Sequence, residues 1–256
     1  MKQEISFEEK KRIQLEMLDE VDAFCRANNI KYSIAFGTLL GAIRHKGFIP
    51  WDDDVDIMMP LPDLLKFKAT FKSEITEYLD IDVNNQYDFA FSRLVYKKTY
   101  KKISRFIKGY GICIDLYVII GIPHNYNPFF IDYMKLNDRM IRFSIMRSRA
   151  MRYLQIKRIP KFTKIIKDCR DYFFKKSVDY RNARKYYIIA GLLELREKMI
   201  YDKDLFSSTC DIQFEDRTYQ AISEWDYFLR LRYGNYMELP PEDQRHPYHG
   251  GHYYYK

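Results

Sequence analysis

KYSIAFGTLLGAIRHKGFIPWDDDVDIMMP, residues 31–60, decides how the rest of the chain is read. Its apolar opening, Tyr32 to Phe36, predicts a short buried strand that Gly37-Thr38 ends, with LLGAIRHKG continuing as a short helix. After a turn at Pro50 come Asp52, Asp53, Asp54 and Asp56. In DVDIM the period of a strand puts the carboxylates of Asp54 and Asp56 on one face and Val55 and Ile57 on the other. Carboxylates held together repel and raise each other's pKa unless a cation lies between them. Oxygen ligands of this kind suit Mg²⁺, or Mn²⁺, especially where a phosphorylated substrate completes the shell. The Gly37-Thr38 turn at a helix N-terminus offers N–H groups and a hydroxyl to a phosphate. Arg44, His45 and Lys46 follow with positive charge, and Trp51 shapes the acidic loop. Alone, a Gly-Thr turn is usually only a turn and an acidic cluster a solvated loop. Together they make a phosphate cradle followed by a metal-binding Asp-x-Asp, which phosphoryl transfer requires.

Outward from that stretch, Ser6 and Glu9 have capping-box spacing ahead of a helix over 6–28, with Ile13, Met17, Leu18 and Val21 as its apolar stripe. A second helix is expected over 62–78, with Leu64, Leu65, Phe67 and Phe71 inward, and strands over 81–83 and 89–96. Ile112–Ile120 (ICIDLYVII) reads as a strand in which the single carboxylate of Asp115 interrupts an apolar run. A buried, unpaired Asp is costly, so Asp115 needs a partner. Residues 129–200 read as basic, aromatic-rich helices broken at Pro160. Phe214–Arg217 reads as a strand and turn, followed by a helix over 223–232 that stops at Gly234, with an extended exit at Pro240-Pro241. His246, His249 and His252 recur at intervals of three, a spacing that invites a metal-site reading, but in a stretch broken by Gly and Pro helical periodicity cannot be assumed and a loosely ordered tail fits as well.

With 256 residues, 47% apolar and 30% charged, the chain is globular rather than disordered. The net charge of +8 is uneven: 17 Lys and Arg face four acidic residues between Lys135 and Lys185, a net +13, leaving −5 for the remainder. That segment has three readings: a solvated helical face, peripheral contact with an anionic membrane, or a grip on nucleic acid. The four cysteines lack Cys-x-x-Cys spacing, which argues against a zinc site or disulfide framework. No signal peptide is visible and no apolar run approaches the roughly 20 residues of a membrane span, so a cytoplasmic protein is expected.

GTLLGAIRHKGFIPWDDDVDI closely resembles the signature of the LicD family of phosphotransferases, which includes phosphocholine transferases and fukutin-related ribitol-phosphate transferases. SEWDYFLRLRYGNYMELPPEDQR resembles that family's closing helix and the segment after it. The resemblance covers residues 10–60, 89–120 and 225–250. It implies an α+β fold, a nucleotidyltransferase-like mixed sheet flanked by helices, in three parts: a catalytic core over 1–128, a basic helical insertion over 129–205, and 206–256 completing core and site. It makes Asp115 the third carboxylate beside Asp54 and Asp56, these three being catalytic and, with Asp52, the ligands of Mg²⁺ or Mn²⁺. It adds Arg93, Thr99, His246 and His249 to Gly37, Thr38, Arg44, His45, Lys46 and Trp51 as substrate contacts. The implied reaction moves phosphocholine or a polyol phosphate from a cytidine-diphosphate donor, CDP-choline first among them, to a hydroxyl of a glycan, free or lipid-linked, releasing CMP. That would be a cytoplasmic enzyme, at the inner membrane face where its acceptor is lipid-linked, with no nucleic-acid partner. Two rivals stand beside it: nucleotidyl transfer from an NTP to a macromolecule, and a non-catalytic scaffold of the same fold.

Overall fold

Helix α1 (Phe7–Ala27) begins where its cap predicts, with the Glu9 amide donating to the Ser6 hydroxyl at 3.1 Å. Its buried stripe of Ile13, Met17, Leu18, Val21 and Cys25 meets the core. The computed structural model describes residues 3–79, 92–102, 108–122, 183–189, 200–202, 204–246 and 251–256. Contacts divide the chain into two units, Met1–Leu79 with Arg93–Tyr117 and Leu205–Lys256, and Asp80–Ser92 with Val118–Asp204.

The first unit is an α+β arrangement of the expected nucleotidyltransferase-like kind. Strands β1 (Ser33–Ile34), β2 (Asp56–Pro60), β3 (Thr76–Leu79), β4 (Ser92–Tyr96) and the start of β6 (Cys113–Ile122) lie in the order β1-β2-β6-β4-β3. β1 pairs antiparallel with β2, and β3 with β4. Helices α2 (Phe36–His45) and α3 (Leu61–Thr70) flank β2 in sequence. β5 (Thr99–Lys102) pairs with β11 (His252–Tyr255) in a separate ribbon. A hairpin of β9 (Thr209–Phe214) and β10 (Arg217–Ile222) precedes α4 (Trp225–Tyr233).

The hairpin is tied to α1 by polar bonds. The Tyr219 hydroxyl and the Arg217 guanidinium donate to Asp19 at 2.6 and 2.9 Å, and the Tyr32 hydroxyl donates to Asp22 at 2.6 Å. At its tip Glu215, with φ +57°, takes the amide of Phe48 on its side chain and gives its own amide to the Lys46 carbonyl. The tip therefore grips the loop that leads from α2 into the acidic stretch.

In the second unit Val118–Ile122 pairs antiparallel with β7 (Lys185–Ile189), which pairs with β8 (Ile200–Tyr201). Residues 185–189 and 200–201 thus replace the helix expected there with strand; the rest of 129–200, including nearly all of the basic segment 135–185, lies outside the described residues. The segment is rich in β-branched and aromatic residues at 185–189, which favour a strand beside apolar β6. No helix among the described residues is long and apolar enough to cross a membrane.

Four other expectations are corrected. The Gly37-Thr38 break lies inside the first turn of α2, because the helix already starts at Phe36, and β1 is only two residues long. The helix expected to reach Tyr78 stops at Thr70, where the Ser73 hydroxyl accepts the amides of Ile75 and Thr76 and turns the chain into β3. Leu65, expected inward, is 53% exposed. Residues 251–256 are no loose tail, since 252–255 form β11, while the strand expected at 81–83 lies outside the described residues.

Gly41 in α2 lies against the backbone of the loop it precedes. A Cβ there would meet the Gly47 carbonyl oxygen at 2.4 Å and the Ile49 amide nitrogen at 3.3 Å, neither of which can rotate aside. Gly41→Ala is expected to destabilise the protein by about 1–3 kcal/mol, the usual cost of overpacking, read by urea unfolding against the parent. A change within about 0.5 kcal/mol would show that the loop relaxes freely.

Candidate active site and metal centre

Asp56 opens β2, Asp54 stands two residues before it, and Asp115 is the third residue of β6. The Asp115 amide donates to the Val55 carbonyl at 2.8 Å, which brings β6 alongside the Asp-x-Asp. One carboxylate oxygen from each of Asp54, Asp56 and Asp115 lies within 4.8 Å of the others. Backbone bonds hold Asp56 on both sides: its amide donates to the buried Thr38 hydroxyl at 2.8 Å, and its carbonyl accepts from Ala35 at 2.9 Å.

The electrostatics are those of acids crowded out of water. Burial raises the pKa of Asp56 well above the usual carboxylate range, and the charges of Asp54, Asp115 and Asp52 push it further; a hydrogen bond with Tyr117 opposes them. Asp52 is raised from 3.8 to about 7, first by burial and then by the charge of Asp54 and a hydrogen bond between the two carboxyls. One oxygen of Asp56, Oδ1, is buried without a hydrogen-bond partner. Hard oxygen donors, mutual repulsion and an orphaned carboxylate oxygen fit Mg²⁺ or Mn²⁺.

Arg93 was expected to meet a substrate phosphate or to lie on a solvated edge. β4 lies between β6 and β3, which overturns the solvated edge, and the guanidinium grips Asp115 through Nε–Oδ1 at 2.6 Å and Nη2–Oδ2 at 3.3 Å, beneath the ring of Tyr110. It is the partner that the buried Asp115 required.

The remaining candidates divide. Gly37 lies at the acid cluster: a Cβ there would stand 2.6 Å from Asp52 Oδ2, so only hydrogen leaves that carboxylate its place. Thr38 is beside it on α2, in the turn whose N–H groups a helix cannot satisfy internally. Arg44 donates to the carbonyls of Tyr236 and Glu238, and to His45 Nε2 at 2.9 Å; burial and the Arg44 charge lower the His45 pKa. The His45 ring sits edge-on to Trp51, and Arg245 lies over Trp51. Lys46 is exposed, with φ +62° at the end of α2. Thr99 is buried, donating to the Tyr96 carbonyl and accepting from the Ile112 amide, so it pins β5 to the start of β6. His246 is exposed, and His249 lies outside the described residues.

Reasoning from sequence missed Tyr117, although its place two residues after Asp115 on a strand puts both side chains on one face. Its ring meets Phe36 at 4.7 Å. Phe36 has φ +43°, a strained conformation for such a residue, and also touches Phe228 and lies under Arg232 of α4.

A family described as "LicD/FKTN/FKRP, nucleotidyltransferase domain" matches residues 29–139. The lipopolysaccharide cholinephosphotransferase LicD of Haemophilus influenzae is 29% identical over 260 residues, covering 96% of each chain. Two uncharacterized proteins, of Rickettsia typhi and Rickettsia prowazekii, are 46% and 51% identical over 61 and 49 residues, covering 23% and 19% of this chain and 20% and 18% of theirs.

Metal-free protein should lose stability as pH rises. The folded state keeps the Asp52 proton until about pH 7, whereas the unfolded chain releases it near 3.8, so stability falls across that window and stays low above it. Thermal unfolding in EDTA should show a Tm that falls from pH 5 to pH 8, with the gain on adding Mg²⁺ growing over the same range. A pH-independent gain would mean that these carboxylates do not bind the ion.

Proposed function

The chain is a member of the LicD family through its nucleotidyltransferase domain, and on that premise we propose that it transfers phosphocholine from CDP-choline to a hydroxyl of a cell-surface glycan or its lipid-linked precursor, releasing CMP. The observation that carries this reading is the Asp54–Asp56–Asp115 cluster within the family-matching residues, in a chain similar over 96% of its length to a lipopolysaccharide cholinephosphotransferase. Phosphocholine leads among the phospho-alcohols because that relative's name specifies it.

Asp54, Asp56 and Asp115 hold Mg²⁺ or Mn²⁺, with Asp52 as a further ligand or as the group that orients Asp54. When bound, the ion neutralises charge on the transferred phosphoryl and the departing CMP. The acceptor oxygen forms a bond to the phosphocholine phosphorus as the P–O bond to CMP breaks, and Asp115 takes the hydroxyl proton. The first turn of α2 presents N–H groups and the Thr38 hydroxyl to the diphosphate, and Gly37 leaves the Asp52 carboxylate its place beside that turn. Arg93 offsets the buried charge of Asp115, and Tyr117 holds Asp56. A nucleotide-linked donor places the reaction in the cytoplasm, at the inner membrane face when the acceptor is lipid-linked.

Asp54→Asn and Asp56→Asn should each lower turnover by at least about a thousandfold, in line with the loss of charge stabilisation at a phosphoryl centre, with far-UV circular dichroism unchanged. Substantial residual activity in either would remove the assignment. Thermal unfolding with Mg²⁺ and, in turn, CDP-choline, CDP-ribitol, CDP-glycerol, CMP, ATP and GTP identifies the donor. A native-state ligand at 100 times its Kd stabilises by about 2.7 kcal/mol. CDP-choline should exceed CMP and the other CDP-alcohols; a response to ATP or GTP alone would move the protein to nucleotidyl transfer, and none at all to a scaffold.

A further inference from the structure

The middle residue of the acidic run, Asp53, is not one of the three clustered carboxylates and is nearly fully buried, at 4% exposure. Its Oδ2 accepts from Lys10 Nζ at 2.8 Å, and Lys10, on α1, is itself only 8% exposed. One turn further along α1, buried Gln14 donates through Nε2 to the Asp53 carbonyl at 3.4 Å and to the Cys113 carbonyl at 3.2 Å. Asp53 separates Asp52 from Asp54, and Cys113 stands two residues before Asp115. The two side chains therefore reach both pieces of backbone that carry the carboxylates. Lys10 and Gln14 fall in phase with Met17 and Val21, polar residues on the buried stripe of an otherwise apolar helix face. Both precede residue 29, where the family match begins.

We propose that Lys10 and Gln14 are positioning residues that set the distance between the Asp52–Asp54 loop and the Asp115 strand, and so the affinity of the carboxylate cluster for its divalent ion. The inference rests on the metal-dependent reading above. Residues 52–54 are all acids, so apolar packing cannot hold this stretch against the repulsion of Asp56 and Asp115. The loop is drawn inward instead by the ammonium of Lys10, placed over the ring of Tyr253, and Gln14 spans from the loop to β6. A buried ion pair is geometrically specific even where it adds little net stability. Site geometry held within about half an ångström is what separates a working metal site from a loose one.

The test measures Mn²⁺ affinity of the intact chain by electron paramagnetic resonance, with metal-free stability measured separately by urea unfolding. Lys10→Met should raise the Mn²⁺ Kd by at least about tenfold, equivalent to about 1.4 kcal/mol. Lys10→Arg, which keeps the charge on a buried stem, should restore it to within about threefold of the parent. Gln14→Leu, which leaves the ion pair intact, should raise the Kd by about three- to tenfold and supplies the measurement if Lys10→Met does not fold. A Kd within about twofold of the parent in a folded Lys10→Met or Gln14→Leu protein overturns the inference. An equal Kd loss in Lys10→Arg would also overturn it, because retained charge would then count for nothing. If the parent itself binds no Mn²⁺, the metal-dependent function fails instead.

Discussion

Five carboxylates, Asp52, Asp53, Asp54, Asp56 and Asp115, are brought together by a short loop and two strands, and their mutual repulsion is the constraint the surrounding structure answers. At the separations within the cluster, like charges in a partly buried environment repel by several kcal/mol. Within the loop only the Asp53 amide, which donates to Asp52 Oδ1 at 3.1 Å, opposes this, because the side chains are themselves the charges. Compensation comes from elsewhere: Arg93 from β4 grips Asp115, Lys10 from α1 grips Asp53, and Asp52 shares a hydrogen bond with Asp54 as its pKa rises. What these leave uncompensated is centred on Asp54 and Asp56, where a divalent cation fits.

The devices differ in kind. Arg93 and Lys10 are buried ion pairs, which cost desolvation and require their geometry to be kept. Thr38 and the Ala35 amide hold the backbone of Asp56, leaving its side chain to the cluster. Gly37 contributes by absence, giving Asp52 the volume a methyl would take. The hairpin tip at Glu215 fixes the loop upstream, so the acids enter the cluster from a braced position.

Much of this was legible in the sequence because the acids are consecutive and Asp115 stands alone in an apolar strand. Local signals also placed α1, through Ser6 and Glu9, and the end of α4 at Gly234. What was not legible depends on strand order and distance. Arg93 could not be matched to Asp115 until β4 was placed beside β6, and so it was expected to meet a phosphate or solvent. Asp53 and Lys10 are 43 residues apart, and nothing local pairs them. The misplaced end of α3 has another cause: Ser73 competes for amides that helical periodicity would have kept. The helix expected near 185–189 failed because an apolar run reads equally well as strand.

The ribbon of β5 and β11 has a consequence in time. Tyr253, on β11, supplies the ring beneath Lys10, which lies far from it in sequence on α1. Contacts that span nearly the whole sequence form late, because their loop-closure entropy is offset only when both partners are present. The acidic loop therefore depends for its bracing on a contact that is slow to form. The order of the carboxylate cluster thus depends on residues that contribute no carboxylate to it.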